Sequence, residues 1–151
     1  MKNLFSSLLL LAGLVAATAC KKEDSTNNAP VQPTLGTFSG RQQVPVVTSA
    51  ATGTITGTYD KAAMVLTYTV TFSGLSPVAG HLHLGAPGAM GGVFYPFPFN
   101  NATGDGYISP ITGTKQLTVD QDKALLSRGV YANLHTKAYP NGEIRADMTV
   151  D

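Results

Sequence analysis

From about residue 35 onward, hydrophobic and polar positions alternate with a period of two, and helical periodicity is almost absent. In Met64–Leu75 (MVLTYTVTFSGL), Leu66, Tyr68, Val70 and Phe72 fall on one face, with Thr67, Thr69 and Thr71 on the other. Such alternation, filled by β-branched residues, predicts a strand with one core face and one wet face. The threonine- and glycine-rich stretch Ala51–Asp60 (ATGTITGTYD) is expected to pair with it through a turn around Asp60–Ala63. The one helical piece is Thr118–Gly129 (TVDQDKALLSRG), a connector that Thr118 or Asp120 would cap and Gly129 would stop. After it, Val130–Ala138 and Glu143–Val150 flank YPNG, a hairpin signature in which Gly142 supplies positive φ. In Phe94–Phe99 (FYPFPF), Pro96 and Pro98 demote the segment to an edge strand or loop, because proline cannot donate to a central ladder. Its aromatics would cover one end of the core or offer a contact patch. Short strands separated by turn signals predict an antiparallel sandwich or barrel.

Parity adds a step in the last hairpin. If Pro140, Asn141 and Gly142 form a three-residue loop, Tyr139 faces Glu143 and His135 lies across from Asp147. Tyr131, Asn133 and His135 then share a polar face with Glu143, Arg145 and Asp147, while Val130, Ala132, Leu134, Ile144, Ala146 and Met148 form an apolar one. His135 would have carboxylates and Arg145 within reach.

The N-terminus changes what counts as the folded protein. Lys2, the apolar run Leu4–Ala19 and the ATAC site ending at Cys20 resemble a bacterial lipoprotein signal, with Ala17 where leucine is usual. The expected organisation is a signal peptide over 1–19, lipidated Cys20 with a proline-dotted polar tether to residue 34, and one domain over 35–151. Acyl chains on Cys20, palmitate among them, would anchor the chain to the outer membrane without spanning it. The CKKED start resembles lipoproteins of the Bacteroidota displayed on the outer surface. Cys20 is the single cysteine, so the domain has neither a disulfide framework nor a thiol nucleophile. Without residues 1–19, nine basic residues face nine acidic ones, which leaves no basic field for nucleic acid. The expected partners are the membrane, through the lipid, and an envelope or protein ligand.

Candidate chemistry gathers in Gly80–Gly92 (GHLHLGAPGAMGG). His81 and His83 lie one residue apart on a strand-like segment and point to the same side; the third and last histidine is His135. Such an arrangement presents three imidazoles to zinc or copper, with Asp147, Glu143, Asn133 or Asp105 as the groups that would hydrogen-bond the rings and fix their tautomers. The alternative is that the rings hydrogen-bond loop backbone and hold a strand end. The glycines could suggest a phosphate cradle, but no helix N-terminus follows them, so a long turn is expected. No nucleophile elbow or paired-carboxylate arrangement marks a catalytic centre.

Three blocks carry a family resemblance: Ser39–Asp60, Leu66–Val93 and Leu125–Met148. Gln43-Val44-Pro45, then His81, His83, Gly85, Gly88 and Gly91, then Asn133, His135 and Thr136 with Pro140, Gly142, Glu143, Ile144 and Arg145 resemble the CHRD (chordin-type) domain. Val46 and the pair Ala146-Asp147 depart from the family pattern. The resemblance implies an all-β fold, an antiparallel immunoglobulin-like β-sandwich in a single domain. In animal chordin such domains belong to an extracellular growth-factor-binding protein; in bacteria the resemblance implies an extracytoplasmic module with no inherited reaction. The blocks are also faintly similar to copper–zinc superoxide dismutases, whose copper needs four histidines where this chain has three.

Overall fold

The computed structural model describes residues 33–101 and 106–150, so Cys20, the leader and Asp105 lie outside the described residues. Its elements run β1 (Thr34–Phe38), a 3-10 turn (Gly40–Gln42), β2 (Thr52–Asp60), β3 (Val65–Ser73), β4 (Ala79–Leu84), β5 (Gly92–Pro96), β6 (Ile111–Gln116), α1 (Val119–Leu126), β7 (Val130–His135) and β8 (Ile144–Asp147). They form two antiparallel four-stranded sheets, ordered β1-β2-β3-β6 and β5-β4-β7-β8. The protein is therefore an all-β sandwich. No helix among the described residues is long and apolar enough to cross a membrane.

Period-two burial builds the core. Ile55, Leu66, Tyr68, Val70 and Ile111 of one sheet meet Leu82, Ala132, Leu134, Ile144 and Ala146 of the other, all essentially inaccessible to water. Each fully buried large aliphatic side chain stabilises the fold by ~1.5–3 kcal/mol. On the outer side of the first sheet, threonines pair across strands, as Thr54 with Thr71 at 2.8 Å and Thr67 with Thr114 at 3.4 Å. The two sheets are stitched along one edge: Ser39 N donates to Arg145 O at 3.0 Å and Arg145 N returns to Ser39 O at 3.1 Å.

The first hairpin pairs Asp60 with Val65 and Thr52 with Ser73, as the alternation predicts. Proline-bearing β5 is an edge strand, and Phe97 behind it is buried against the core. Around α1, Thr118 Oγ1 accepts from Gln121 N while Gln121 Oε1 accepts from Thr118 N, a complete capping box. The left-handed residue that stops the helix is Arg128, not Gly129: Arg128, just past the cap Ser127, takes φ +60°, and Gly129 N closes the turn onto Ala124 O at 2.7 Å.

The last hairpin departs from its expected register. Asn133 pairs with Arg145 and Tyr131 with Asp147, so the strands are offset by four residues from the pairing of His135 with Asp147. Thr136 and Tyr139 exchange backbone hydrogen bonds and Gly142 N donates to Tyr139 O, which makes the connection a folded eight-residue loop over 136–143. An even offset keeps every side chain on its expected face. The apolar set is buried as expected, but the polar set is buried too: Asn133, Glu143 and Arg145 are 3%, 7% and 1% exposed.

Candidate functional site

The glycine-rich turn between β4 and β5 folds over the outer face of β4, β7 and β8, which is why that face is covered. Arg145 holds it down. Its Nη1 donates to Ala89 O at 2.7 Å and its Nη2 to Ala86 O at 3.0 Å, while Nε reaches Asp147 Oδ1 at 2.8 Å. The guanidinium also lies 3.6 Å from the centre of the Tyr131 ring. On the other strand, the His83 ring stacks on Tyr131 at 4.6 Å and 9°. Gly91 makes the close return of the turn: a Cβ there would fall 1.5 Å from Leu84 O, which no side chain tolerates.

Adjacent strands β4 and β7 bring the three histidines together, with His81 paired to Asn133 and Ala79 to His135. One ring nitrogen from each lies within 4.8 Å of the others. His83 Nδ1 faces Gly91 O at 3.0 Å and His135 Nδ1 faces Pro140 O at 2.9 Å. A carbonyl only accepts, so both Nδ1 atoms carry a proton, and in the neutral tautomer each Nε2 presents a lone pair. Those Nε2 atoms turn inward, each reaching Asn133 Oδ1, at 2.9 Å and 3.0 Å. His81 Nδ1 completes the cluster 3.1 Å from His135 Nε2.

Burial pushes His81 down to about 4, helped by its neighbours His135 and His83. His135 is lowered chiefly by burial, against the opposing pull of its bond to the Pro140 carbonyl. Both rings are thus neutral at neutral pH, the state in which imidazole offers a ligand lone pair.

A family model for the CHRD domain matches residues 34–148. The chain belongs to the CHRD domain family. No curated protein and no solved structure matches it. In this CHRD domain the motif glutamate does not touch a histidine: Glu143 accepts from Ser49 Oγ at 2.7 Å and from Thr136 Oγ1 at 2.6 Å, tying the β1–β2 connection to the last hairpin. Asp147 is spent on Arg145 instead. The register offset explains the second, since it moves Asp147 from the position opposite His135 to the one opposite Tyr131. Of the expected orienting groups among the described residues, only Asn133 hydrogen-bonds the rings. Gln43 is buried behind it, Gly85 packs so closely that a Cβ would meet Tyr131 Cε1 at 2.9 Å, and Pro45 lines a groove with Val44, Tyr139 and Pro140. Sequence reasoning overlooked the carbonyls of Gly91 and Pro140, because an acceptor on the backbone leaves no residue signature. It also overlooked the Arg145–Tyr131–His83 stack, although parity had already put Tyr131 on the histidine face.

Proposed function

We propose that the protein is a cell-envelope lipoprotein, anchored to the outer membrane through Cys20, that presents its CHRD β-sandwich as an extracytoplasmic metal-binding module. His81, His83 and His135 are the ligands, and the ion is zinc or copper, both of which imidazole suits. One observation carries this reading: the Nδ1 atoms of His83 and His135 are fixed on backbone carbonyls while their Nε2 atoms point at a common place beside His81 Nδ1. That is how metal-binding histidines are oriented in general, with the outer nitrogen tied down and the inner one free to coordinate. The lipoprotein part is supported by the signal-like N-terminus, the single cysteine and the polar tether.

Elemental analysis of the purified protein, compared with the His81→Ala/His83→Ala double variant, tests the metal reading. Near-stoichiometric zinc or copper in the native protein and its loss in the variant is the expected result. A native protein without bound metal, whose double variant only melts at lower temperature, would mean that the rings merely hold the glycine-rich turn in place.

A further inference from the structure

Asn133 is the residue that touches both inward ring nitrogens, with Oδ1 at 2.9 Å from His83 Nε2 and 3.0 Å from His135 Nε2. The Nδ1 protons of both rings are committed to carbonyls, so in the neutral tautomers both Nε2 atoms are acceptors. Asn133 Oδ1 is an acceptor as well. Asn133 Oδ1 therefore faces two further acceptors at hydrogen-bond distance, and His81 Nδ1, 3.1 Å from His135 Nε2, reaches one of the three. A cation between them removes the conflict. The spacings suit it: ligands ~2.0–2.1 Å from zinc in a tetrahedron lie ~3.3 Å from each other.

A second observation concerns the other end of the same amide. Gln43 is 5% exposed, and its Nε2 has no hydrogen-bond partner. A Cβ on Gly142 would lie 2.4 Å from Gln43 Nε2 and 3.1 Å from Asn133 Nδ2, so both amide nitrogens border the same space beside Gly142. Turning an amide by 180° keeps its shape and exchanges its donor and acceptor ends. With Asn133 turned, its Nδ2 donates to both Nε2 atoms and its Oδ1 accepts from Gln43, which satisfies the protein without metal. With Gln43 turned instead, Oε1 accepts from Asn133 Nδ2 and holds Asn133 Oδ1 inward, which satisfies the protein around a cation.

We propose that Asn133 Oδ1 is the fourth ligand of a tetrahedral site for Zn²⁺, and that Gln43 is a positioning residue whose amide exchanges orientation with that of Asn133 as metal binds. This rests on the three-histidine metal reading and deepens it. Three imidazoles and one oxygen in a tetrahedral arrangement select zinc over Cu⁺, which prefers soft sulfur, and over Cu²⁺, which prefers a tetragonal arrangement.

The test uses the full-length protein in mild detergent, titrated with Zn²⁺ against a chromophoric chelator and with Co²⁺ as a spectroscopic substitute. Native protein should show the intense visible bands of tetrahedral Co²⁺. Asn133→Ala should weaken zinc binding by about 10–100-fold and alter those bands as water takes the fourth place. Asn133→Asp, which keeps an oxygen at that point and adds charge, should bind at least as tightly as the native protein. Gln43→Ala should weaken binding by about 10-fold with the tetrahedral bands retained. Unchanged zinc affinity and Co²⁺ bands in Asn133→Ala, or Asn133→Asp binding no better than Asn133→Ala, would overturn the fourth ligand and leave the three-histidine reading standing. Unchanged affinity in Gln43→Ala would overturn the positioning role. Failure of the native protein to bind either ion would overturn both readings together.

Discussion

Replacing Arg145 by methionine tests how the covered face is held. Methionine matches much of the arginine stem but donates nothing, so the change isolates the guanidinium. At 1% exposure Arg145 carries a charge out of water and returns it to Asp147 Oδ1 at 2.7 Å, to the Ala86 and Ala89 carbonyls and to the Tyr131 ring. Removing one partner of a buried ion pair costs about 3–5 kcal/mol, because the other charge is stranded. Asp147 is 19% exposed, so water reaches it and the lower end applies, about 3 kcal/mol. With an m-value of about 1.5 kcal/mol per molar, urea unfolding followed by far-UV circular dichroism should show a midpoint lowered by about 2 M. Arg145→Lys keeps the charge without the planar fork and should fall between the two. A midpoint within about 0.5 M of native for Arg145→Met would refute the claim that the guanidinium holds the turn, since the stranded groups alone exceed that shift.

Two further expectations follow from titration and capping. Folded His81 protonates near 4 against 6.5 for an unperturbed histidine, so between these values the unfolded chain binds the extra proton and metal-free stability falls as pH falls. Partial exposure reduces the full linkage value to about 1–2 kcal/mol; urea midpoints from pH 7 to pH 4 should drop more steeply for native protein than for His81→Gln, and parallel curves would refute it. Thr118→Ala removes one half of the capping box on α1, whose Leu125 is buried in the core, and should cost about 1 kcal/mol, seen as a melting temperature lower by about 3–5 °C. An unchanged melting temperature would show that α1 is held by Leu125 alone.

The interior strands were legible because their alternation is long and unambiguous: β3 buries Leu66, Tyr68 and Val70 on one side and leaves threonines on the other. The strands that went unread are β1 and β6, both at edges of their sheet and only five and six residues long. Each offers few apolar positions and a central glycine, so period two is barely expressed in the sequence. Their strand character comes from pairing with β2 and β3, a tertiary effect that local pattern does not encode.

The site was legible as a set of residues on a face and illegible as a set of contacts, and strand geometry explains the division. Side-chain direction depends only on whether a register offset is odd or even, so an offset of four left His135, Asn133, Tyr131, Glu143, Arg145 and Asp147 on one face. Partner identity depends on the offset itself. Four residues of slip along a strand is ~13 Å, well beyond a hydrogen bond, and it carried Asp147 from His135 to Tyr131. Alternation also marks a face as polar without saying whether water reaches it. Here the glycine-rich turn, clamped by Arg145, covers that face and converts a wet surface into a buried polar network. In such a network every donor needs an acceptor and every acceptor a donor or a cation, which is why, in the site proposed above, the orientation of one buried amide, Asn133, decides between a strut and a metal ligand.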